Sequence, residues 1–381
     1  MSKGADFFIQ GRKFTAGTDI LDLAEFEVRS VPRPYKVVWT EEAETFAGVR
    51  SLMGENSANV LFGDEKVFSL HAGGKLPDRT LSAKATEEFK TLGGVTSLVD
   101  FLMKGGFSKG EKLVVVGGGI MEDIGAFSGA VYKRGIRWYF FPTTLLAMCD
   151  SCIGGKTGIN HAGAKNQLAL FSAPAQVVIN PNFLKTLDKR DCMSGMGEIL
   201  KLFVTGGPHF VELYKTTVKN GLPAEFSSYK SLILSSLSIK RAVVEYDEFE
   251  LDHRRSLNYG HTIGHVIEAL SGYAIPHGQA VSIGMIIVNE LAVRRGLLAR
   301  AECDGIKKMA LEILDPESLR VMRSLSTSNI LDLLQKDKKT VSGSVFLVLI
   351  RTAGDTVFVK TNLDAEFKQE LDAIVKSEFQ S

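Results

Sequence analysis

From Lys112 to Thr144 the chain reads KLVVVGGGIMEDIGAFSGAVYKRGIRWYFFPTT, an apolar run, three glycines, a helical pattern with small residues on one side, and a second apolar run. Continuous apolar runs of this length, broken by a glycine turn and a helix, are the signature of buried parallel strands. The unit therefore predicts an α/β fold built on a parallel sheet. In such sheets ligands sit at the carboxyl ends of the strands, where a helix N-terminus points unpaired N–H groups at an anion. The GGG of Gly117 to Gly119 is not G-x-G-x-x-G, and glycines also serve ligand-free turns, so both readings stand at this point.

The flanking segments extend the pattern. Residues 1 to 50 read as short strands and turns (FFIQ, FEVRSV, YKVVW), and VLFGDEKVFSL from Val60 reads as a strand, a turn and a helix. Val95, Leu98, Val99, Leu102 and Met103 mark an amphipathic helix stopped by Gly105 and Gly106, and QVVINP is a last strand. After about residue 180 nearly every segment has helical periodicity, with one late hairpin in VFLVLIRTAGDTVFVK. We expect an N-terminal α/β nucleotide-binding domain over residues 1–179 and a mainly α-helical metal- and substrate-binding domain over residues 180–381, with the active site in the cleft between them. A chain of 381 residues exceeds the roughly 250 to 300 that one core supports.

Charge narrows the ligands. Lys and Arg number 45 against 44 Asp and Glu, so no global field favours nucleic acid or an anionic membrane, and any anion site is local. No run approaches the roughly 18 apolar residues of a membrane span, and the opening MSKGADFFIQGRKF lacks the order of a secretory signal, which predicts a cytoplasmic protein. Cys149, Cys152, Cys192 and Cys303 are too few for a disulfide scaffold, and the C-x-x-C of the first two reads as small buried thiols.

Two stretches concentrate chemistry. Pro142 to Asn166, PTTLLAMCDSCIGGKTGINHAGAKN, holds Thr143, Thr144, Asp150, Lys156, Lys165, Asn160 and Asn166 among four glycines, and we read it as a loop for an anionic ligand. In the second half, NYGHTIGHVIE and IPHGQAV supply His261, His265 and His277. The first two are spaced i and i+4 on one helical face, and Glu198 of GMGEILK is the natural carboxylate for a mixed site. A polar histidine patch, with Glu198 merely paired to Lys201, has the same sequence. Arg254 and Asn258, four apart, could form a fork-and-amide clamp on a carboxylate if the helix continues through them, while the DKK at 337–339 reads as a surface charge cluster.

In order and spacing these motifs, PTTLLAxxDSxxGGKTGIN with its KN, GxxEIxK, LNYGHTIGH and HG-x-AVSIGM, resemble the sugar-phosphate cyclase superfamily, and within it the 3-dehydroquinate synthases of the shikimate pathway. The resemblance implies a homodimeric lyase that uses NAD and a divalent metal, zinc or cobalt, on a small anionic sugar phosphate. By matching position it implies NAD at Glu88, Lys90, Gly118, Gly119, Asp123, Thr143, Thr144, Phe183 and Thr186. Asp150, Lys156 and Lys165 face nicotinamide, substrate and phosphate. It implies metal at Glu198, His261 and His277, which moves His265 from the metal to the substrate phosphate. Asn166 and Lys201 fall at active-site positions, Arg134 at one that reaches a neighbouring subunit's phosphate, and Lys240, Arg254 and Asn258 at the substrate carboxylate. Lys338 or Lys339 would also reach phosphate.

In that family the ring hydroxyl is oxidised, phosphate leaves with its own oxygen as base, the hydride returns, and an intramolecular aldol closes the carbocycle. The clamp of Lys240, Arg254 and Asn258 points to 3-deoxy-arabino-heptulosonate 7-phosphate as substrate. Alternatives are a pathway-specialised cyclase (valiolone, desmethyl-deoxygadusol or 2-deoxy-scyllo-inosose type), an NAD- and metal-dependent polyol dehydrogenase, and a non-catalytic NAD-binding regulatory homologue. The chain departs from the family pattern at Glu122, where a glycine is usual, at Gln279, where HGE is usual, and in a longer N-terminal lead.

Overall fold

The structure is a computed structural model that describes residues 4–336 and 343–380. The chain opens with a hairpin, β1 (Gly4–Ile9) and β2 (Arg12–Gly17), turned at Gln10 and Gly11, both with positive φ. From Asp22 to Asp188 it forms one compact unit, and the described residues up to Leu21 and from Lys189 onward form the other. The sequence places the division at 179/180 and gives the opening strands to the first unit. The structure cuts at 188/189 and assigns the first hairpin to the second unit, because β1 pairs in parallel with a strand near the C-terminus.

The unit from Asp22 to Asp188 contains β3 (Glu25–Val28), β4 (Tyr35–Trp39), α1 (Ala47–Met53), β5 (Val60–Asp64), α2 (Glu65–His71), β6 (Thr80–Ala83), α3 (Leu92–Lys104), β7 (Leu113–Gly117), α4 (Gly119–Val131), β8 (Trp138–Pro142), β9 (Lys156–His161), β10 (Ala164–Phe171) and β11 (Gln176–Ile179). Seven strands form one sheet in the order β3-β4-β11-β8-β7-β5-β6, all neighbours parallel except β3 and β4. Every residue of β7 is buried, which is why the strand carries no polar alternation. Gly117 pairs with Pro142, so the carboxyl ends of β7 and β8 deliver the glycine turn and Thr143 side by side.

The stretch we expected to be an open loop is mostly ordered by its own backbone. Ala147–Ser151 is a turn of π-helix, a wide turn found disproportionately at functional sites, and β9 pairs antiparallel with β10. Lys156, Lys165 and Asn166 thus stand on a two-stranded ribbon rather than in a loop. Four glycines and two asparagines hid the strand propensity of TGIN and QLALF.

The second unit contains α5 (Lys189–Gly206), α6 (Pro208–Thr217), the two-residue strands β12 (Val218–Lys219) and β13 (Leu222–Pro223), α7 (Ser228–Val244), α8 (His261–Leu270), α9 (His277–Arg294), α10 (Arg300–Ile313), α11 (Pro316–Ser324), α12 (Thr327–Lys336), β14 (Ser344–Thr352), β15 (Asp355–Asn362) and α13 (Ala365–Phe379). The late hairpin is β14 and β15, and β1 and β2 complete a four-stranded sheet in the order β14-β15-β1-β2. At the centre of the helical bundle, α9 packs against α5, α8 and α10. From Gly278 to Ala292 α9 is buried without interruption, the all-round burial of a core helix. No helix among the described residues is long and apolar enough to cross a membrane.

Candidate active site

In the first unit, the helix that follows the glycine turn is held to the β9–β10 ribbon by hydrogen bonds, and ion pairs tie both to the segment from Glu87 to Lys90. Gly118 is the N-cap of α4 and Gly119 its first residue, and Thr143 N–H donates to Gly117 O over 3.0 Å. Thr144 Oγ1 accepts from Ala147 N and so starts the turn that carries Asp150. Asp123 is the tie between elements. Its Oδ2 meets Lys90 Nζ at 2.6 Å, its Oδ1 accepts from Gly158 N at 3.0 Å, and its carbonyl accepts from Thr157 Oγ1. Lys90 is buried, which makes the pairing obligatory.

Glu87, which the sequence reading passed over for its exposed neighbour Glu88, accepts from Asn160 Nδ2 at 2.7 Å and pairs with Lys165 Nζ at 3.3 Å. Asn160 in turn accepts from Asn166 N, whose φ of 51° puts it in the left-handed region. Asn160 N–H donates to Lys90 O over 2.8 Å, so Lys90, Asp123, Lys165 and Asn166 belong to one connected polar group. Lys156 is exposed, and Arg134 is exposed at the end of a short 3-10 turn after α4, with a positive φ of 61°.

Phe183 is buried beneath the ring of His71, and Thr186 is exposed beside it, its hydroxyl 2.7 Å from His71 Nε2. A cavity of about 310 Å³ opens there, lined by Thr45, His71, Asn182, Lys185 and Thr186 among others. Glu122, the unusual residue in the nucleotide turn, is buried and accepts from Ser151 Oγ at 2.5 Å, so that bond constrains its carboxylate.

In the second unit, Glu198, His261 and His277 converge from three helices. Glu198 is fully buried on α5; its Oε1 lies 3.1 Å from His277 Nε2 and 3.5 Å from His261 Nε2, and its Oε2 lies 2.5 Å from Lys201 Nζ. The lysine pairing and the histidine cluster, posed as alternatives by the sequence, coexist on the two oxygens of one carboxylate. The close approach of α5 and α9 requires glycine on both sides. A Cβ on Gly278 would meet Ser194 O at 1.7 Å, and one on Gly197 would meet Gly278 O at 2.1 Å.

Burial, with Lys201 and the other two histidines nearby, holds His261 well below the ordinary imidazole range, which favours the neutral ring with a lone pair on one nitrogen. Burial also disfavours charge on His277, but Glu198 and Glu268 on its two ring nitrogens outweigh that and push its pKa up to about 10. Glu268 lies 3.2 Å from His277 Nδ1. It was missed in the sequence, although it sits seven residues after His261 on the same face of α8. A buried carboxylate facing two imidazole nitrogens, one braced by a second carboxylate, is a donor set that suits a zinc-like divalent ion. Nitrogens of His261, His265 and His277 lie within 4.8 Å of one another, and His265 is the exposed member.

The carboxylate clamp does not lie on a continuing helix. The α7 helix ends at Val244, and His253–Asn258 is a separate 3-10 segment packed against it. Lys240 and Arg254 are both buried cations. Asp247 shapes the intervening turn by accepting from the backbone N–H groups of Leu251, Asp252 and Arg254, each at 2.9 Å. Arg254 Nη1 donates to Glu248 O, and Asn258 Nδ2 donates to Glu250 Oε1 at 2.5 Å. Glu250 has a positive φ of 57°, an uncommon conformation for glutamate. Periodicity alone gave no sign of Asp247 or Glu250.

The first hairpin, unassigned from sequence, buttresses this turn. Phe14 packs on Tyr246 and His253, Arg12 stacks over Tyr246 at 4.1 Å, and Ser238 Oγ donates to Gly17 O at 2.7 Å, two residues from Lys240. The DKK cluster, with Lys338 and Lys339, lies outside the described residues.

Comparison with known proteins places this arrangement. Residues 80–194 match the family described as 3-dehydroquinate synthase N-terminal, and residues 195–340 match 3-dehydroquinate synthase C-terminal. A 3-dehydroquinate synthase of Streptococcus pyogenes is 36% identical over 291 residues, 75% of this chain and 79% of that protein. One from a Synechococcus strain is 35% identical over 340 residues, 88% of this chain and 92% of its own.

Among solved structures, the valiolone synthase of Streptomyces hygroscopicus with NAD+ and Zn2+ bound is similar at 25% identity and a TM-score of 0.78, covering 93% of this chain and 99% of its own. A 2-deoxy-scyllo-inosose synthase shares the fold with a TM-score of 0.80 at 21% identity, over 92% of this chain and 99% of its own. A probable glycerol dehydrogenase of Sinorhizobium meliloti follows at 0.60 and 13%, over 90% and 96%. Matched through both parts and aligned with enzymes of that name over most of their length, the chain belongs to the 3-dehydroquinate synthase family of sugar-phosphate cyclases.

Proposed function

We propose that this protein closes 3-deoxy-arabino-heptulosonate 7-phosphate into 3-dehydroquinate with loss of phosphate, as a cytoplasmic homodimer. The observation that carries the choice of substrate is the clamp. Lys240 and Arg254 are buried cations on adjoining segments, and Asn258 already presents its amide to a carboxylate, that of Glu250. Two cations and a side-chain amide gathered on adjoining segments match the charge and the acceptor oxygens of a carboxylate, so a site with this composition favours a substrate that bears one.

NAD and a divalent ion, when bound, would supply a transient hydride acceptor and a Lewis acid. Glu198, His261 and His277 would hold the ion. Glu88, Lys90, Gly118, Gly119, Asp123, Thr143, Thr144, Phe183 and Thr186 would hold the nucleotide. Lys240, Arg254 and Asn258 would orient the sugar by its carboxylate, which fixes the reacting carbon and lowers the entropy cost of reaction. His265, Lys156, Lys165 and Asn166, with Arg134 offered across the dimer, would stabilise the departing phosphate while one of its own oxygens takes the neighbouring proton. Asp150 and Lys201 would steady the polar groups of the ring.

The second reading, a pathway-specialised cyclase, is favoured by the likeness to the valiolone synthase. The test is phosphate release by purified protein supplied with NAD and zinc. We expect release from 3-deoxy-arabino-heptulosonate 7-phosphate without net NADH. Release from sedoheptulose 7-phosphate or glucose 6-phosphate in its place would support the second reading, and accumulating NADH would indicate a dehydrogenase.

A further inference from the structure

Gln279, the departure from HGE, lies two residues past His277 and is fully buried. Its Nε2 donates to Asp315 Oδ2 over 3.0 Å, and the Asp315 backbone N–H donates back to its Oε1 over 3.0 Å. Asp315 is also the N-cap of α11, where its Oδ1 accepts from Ser318 N at 2.7 Å. Arg190, in the first turn of the helix that carries Glu198, donates from Nε to the same Asp315 Oδ2 at 2.9 Å and from Nη2 to Ala274 O at 2.5 Å. Its Nη1 lies 3.3 Å from Glu317.

These bonds join four segments: the start of α5, eight residues before Glu198; the turn entering His277; the first turn of α9 leaving it; and the start of α11. Both ends of the Gln279 amide are used, and both oxygens of Asp315 are occupied. A glutamate at 279 would set a carboxylate oxygen where the amide now donates, against Asp315 Oδ2, two like charges in contact at a part-buried position with one arginine beside them. With the negative charge held at position 315, position 279 has to be neutral and able to donate.

We propose that Arg190, Asp315 and Gln279 form a positioning network for the metal site, which fixes His277 relative to Glu198 and which pairs a neutral residue at 279 with an acid at 315. The inference rests on the reading of Glu198, His261 and His277 as metal ligands. Outer partners of metal ligands typically govern about 10- to 100-fold in affinity. The experiment measures zinc affinity by competition with a chromogenic chelator and NAD affinity by titration, on the full chain.

Asp315→Ala and Gln279→Glu are each expected to weaken zinc binding about 10- to 100-fold with NAD affinity within about 2-fold of the parent. Adding Asp315→Asn to Gln279→Glu should recover at least about 3-fold, since it removes the carboxylate contact. Gln279→Glu keeps the residue's size and remains usable should Asp315→Ala not fold. Zinc affinity unchanged in both single variants, with His277→Ala defective, would overturn the inference and leave the metal reading standing. Zinc affinity unchanged in His277→Ala would overturn both. Equal losses of zinc and NAD affinity would show a general structural support and also overturn it.

Discussion

The Glu198–histidine cluster and the group of Lys240, Arg254 and Asn258 lie in the same unit but are built by different means. Glu198, His261 and His277 project from long helices whose axes are fixed by core packing, and two glycines let α5 and α9 approach closely. The clamp sits instead on the end of α7 and a turn whose path depends on one carboxylate, Asp247, collecting three backbone N–H groups. In the function proposed above, the first arrangement would hold the divalent ion and so serve the chemical step. The second would serve the choice of substrate, and it rests on local backbone bonds and on the packing of the first hairpin. The proposal thus assigns the chemistry to the part fixed by helix packing, and the selectivity to the part that a few substitutions could rebuild.

The sharpest way to break this comparison is to remove the shared half. Glu198→Ala should lower zinc affinity by more than the roughly 100-fold that an outer partner can account for, and should abolish phosphate release from every substrate tried. Titration with a zinc indicator checks the first effect and a phosphate assay the second. Retained turnover would mean that the helix cluster is not the common machinery.

A smaller effect is expected from Asp247→Asn. Asparagine keeps one acceptor oxygen and turns an NH2 group toward the remaining, partly exposed N–H donors, a loss of about 0.5–1.5 kcal/mol, so we expect KM for the carboxylate substrate to rise about 2- to 10-fold with zinc affinity unchanged. The pH response follows the same bonds. Burial alone would raise the Asp247 pKa, but the N–H donors and the Arg254 charge outweigh it and hold the carboxylate below its ordinary range. Its contribution is thus fully present above the unfolded pKa of about 3.9 and is lost only as pH falls through the lower folded value. KM should show no loosening of the turn above about pH 5, and circular dichroism should show this turn failing only in stronger acid.

How much of this was legible in the sequence follows the same division. The strand–glycine–helix unit and the helices bearing Glu198, His261 and His277 announce themselves through periodicity, because long buried elements impose it on every residue. Even Glu268 could have been found by counting along the helical face. The turn around Asp247 could not, since side-chain-to-backbone bonds between residues four to seven apart leave no periodic trace. Reading Arg254 and Asn258 on a continuing helix failed for that reason. The same blindness turned the β9–β10 ribbon into a loop, where glycines and asparagines masked a strand pair stabilised by Glu87 and Asp123. Pairing between β1 and β15, separated by almost the whole chain, explains why the first hairpin was given to the wrong unit.

The most direct test of the division between shared chemistry and substrate choice is the ratio of kcat/KM for 3-deoxy-arabino-heptulosonate 7-phosphate to that for sedoheptulose 7-phosphate, measured in the parent and in Arg254→Ala. Sites built around a charged or hydrogen-bonding group of the substrate reject analogues lacking it by about 10⁴-fold. The account predicts a ratio of that order in the parent, and a fall of at least about 100-fold in Arg254→Ala with zinc and NAD affinities unchanged. A ratio that is the same in both proteins would contradict it.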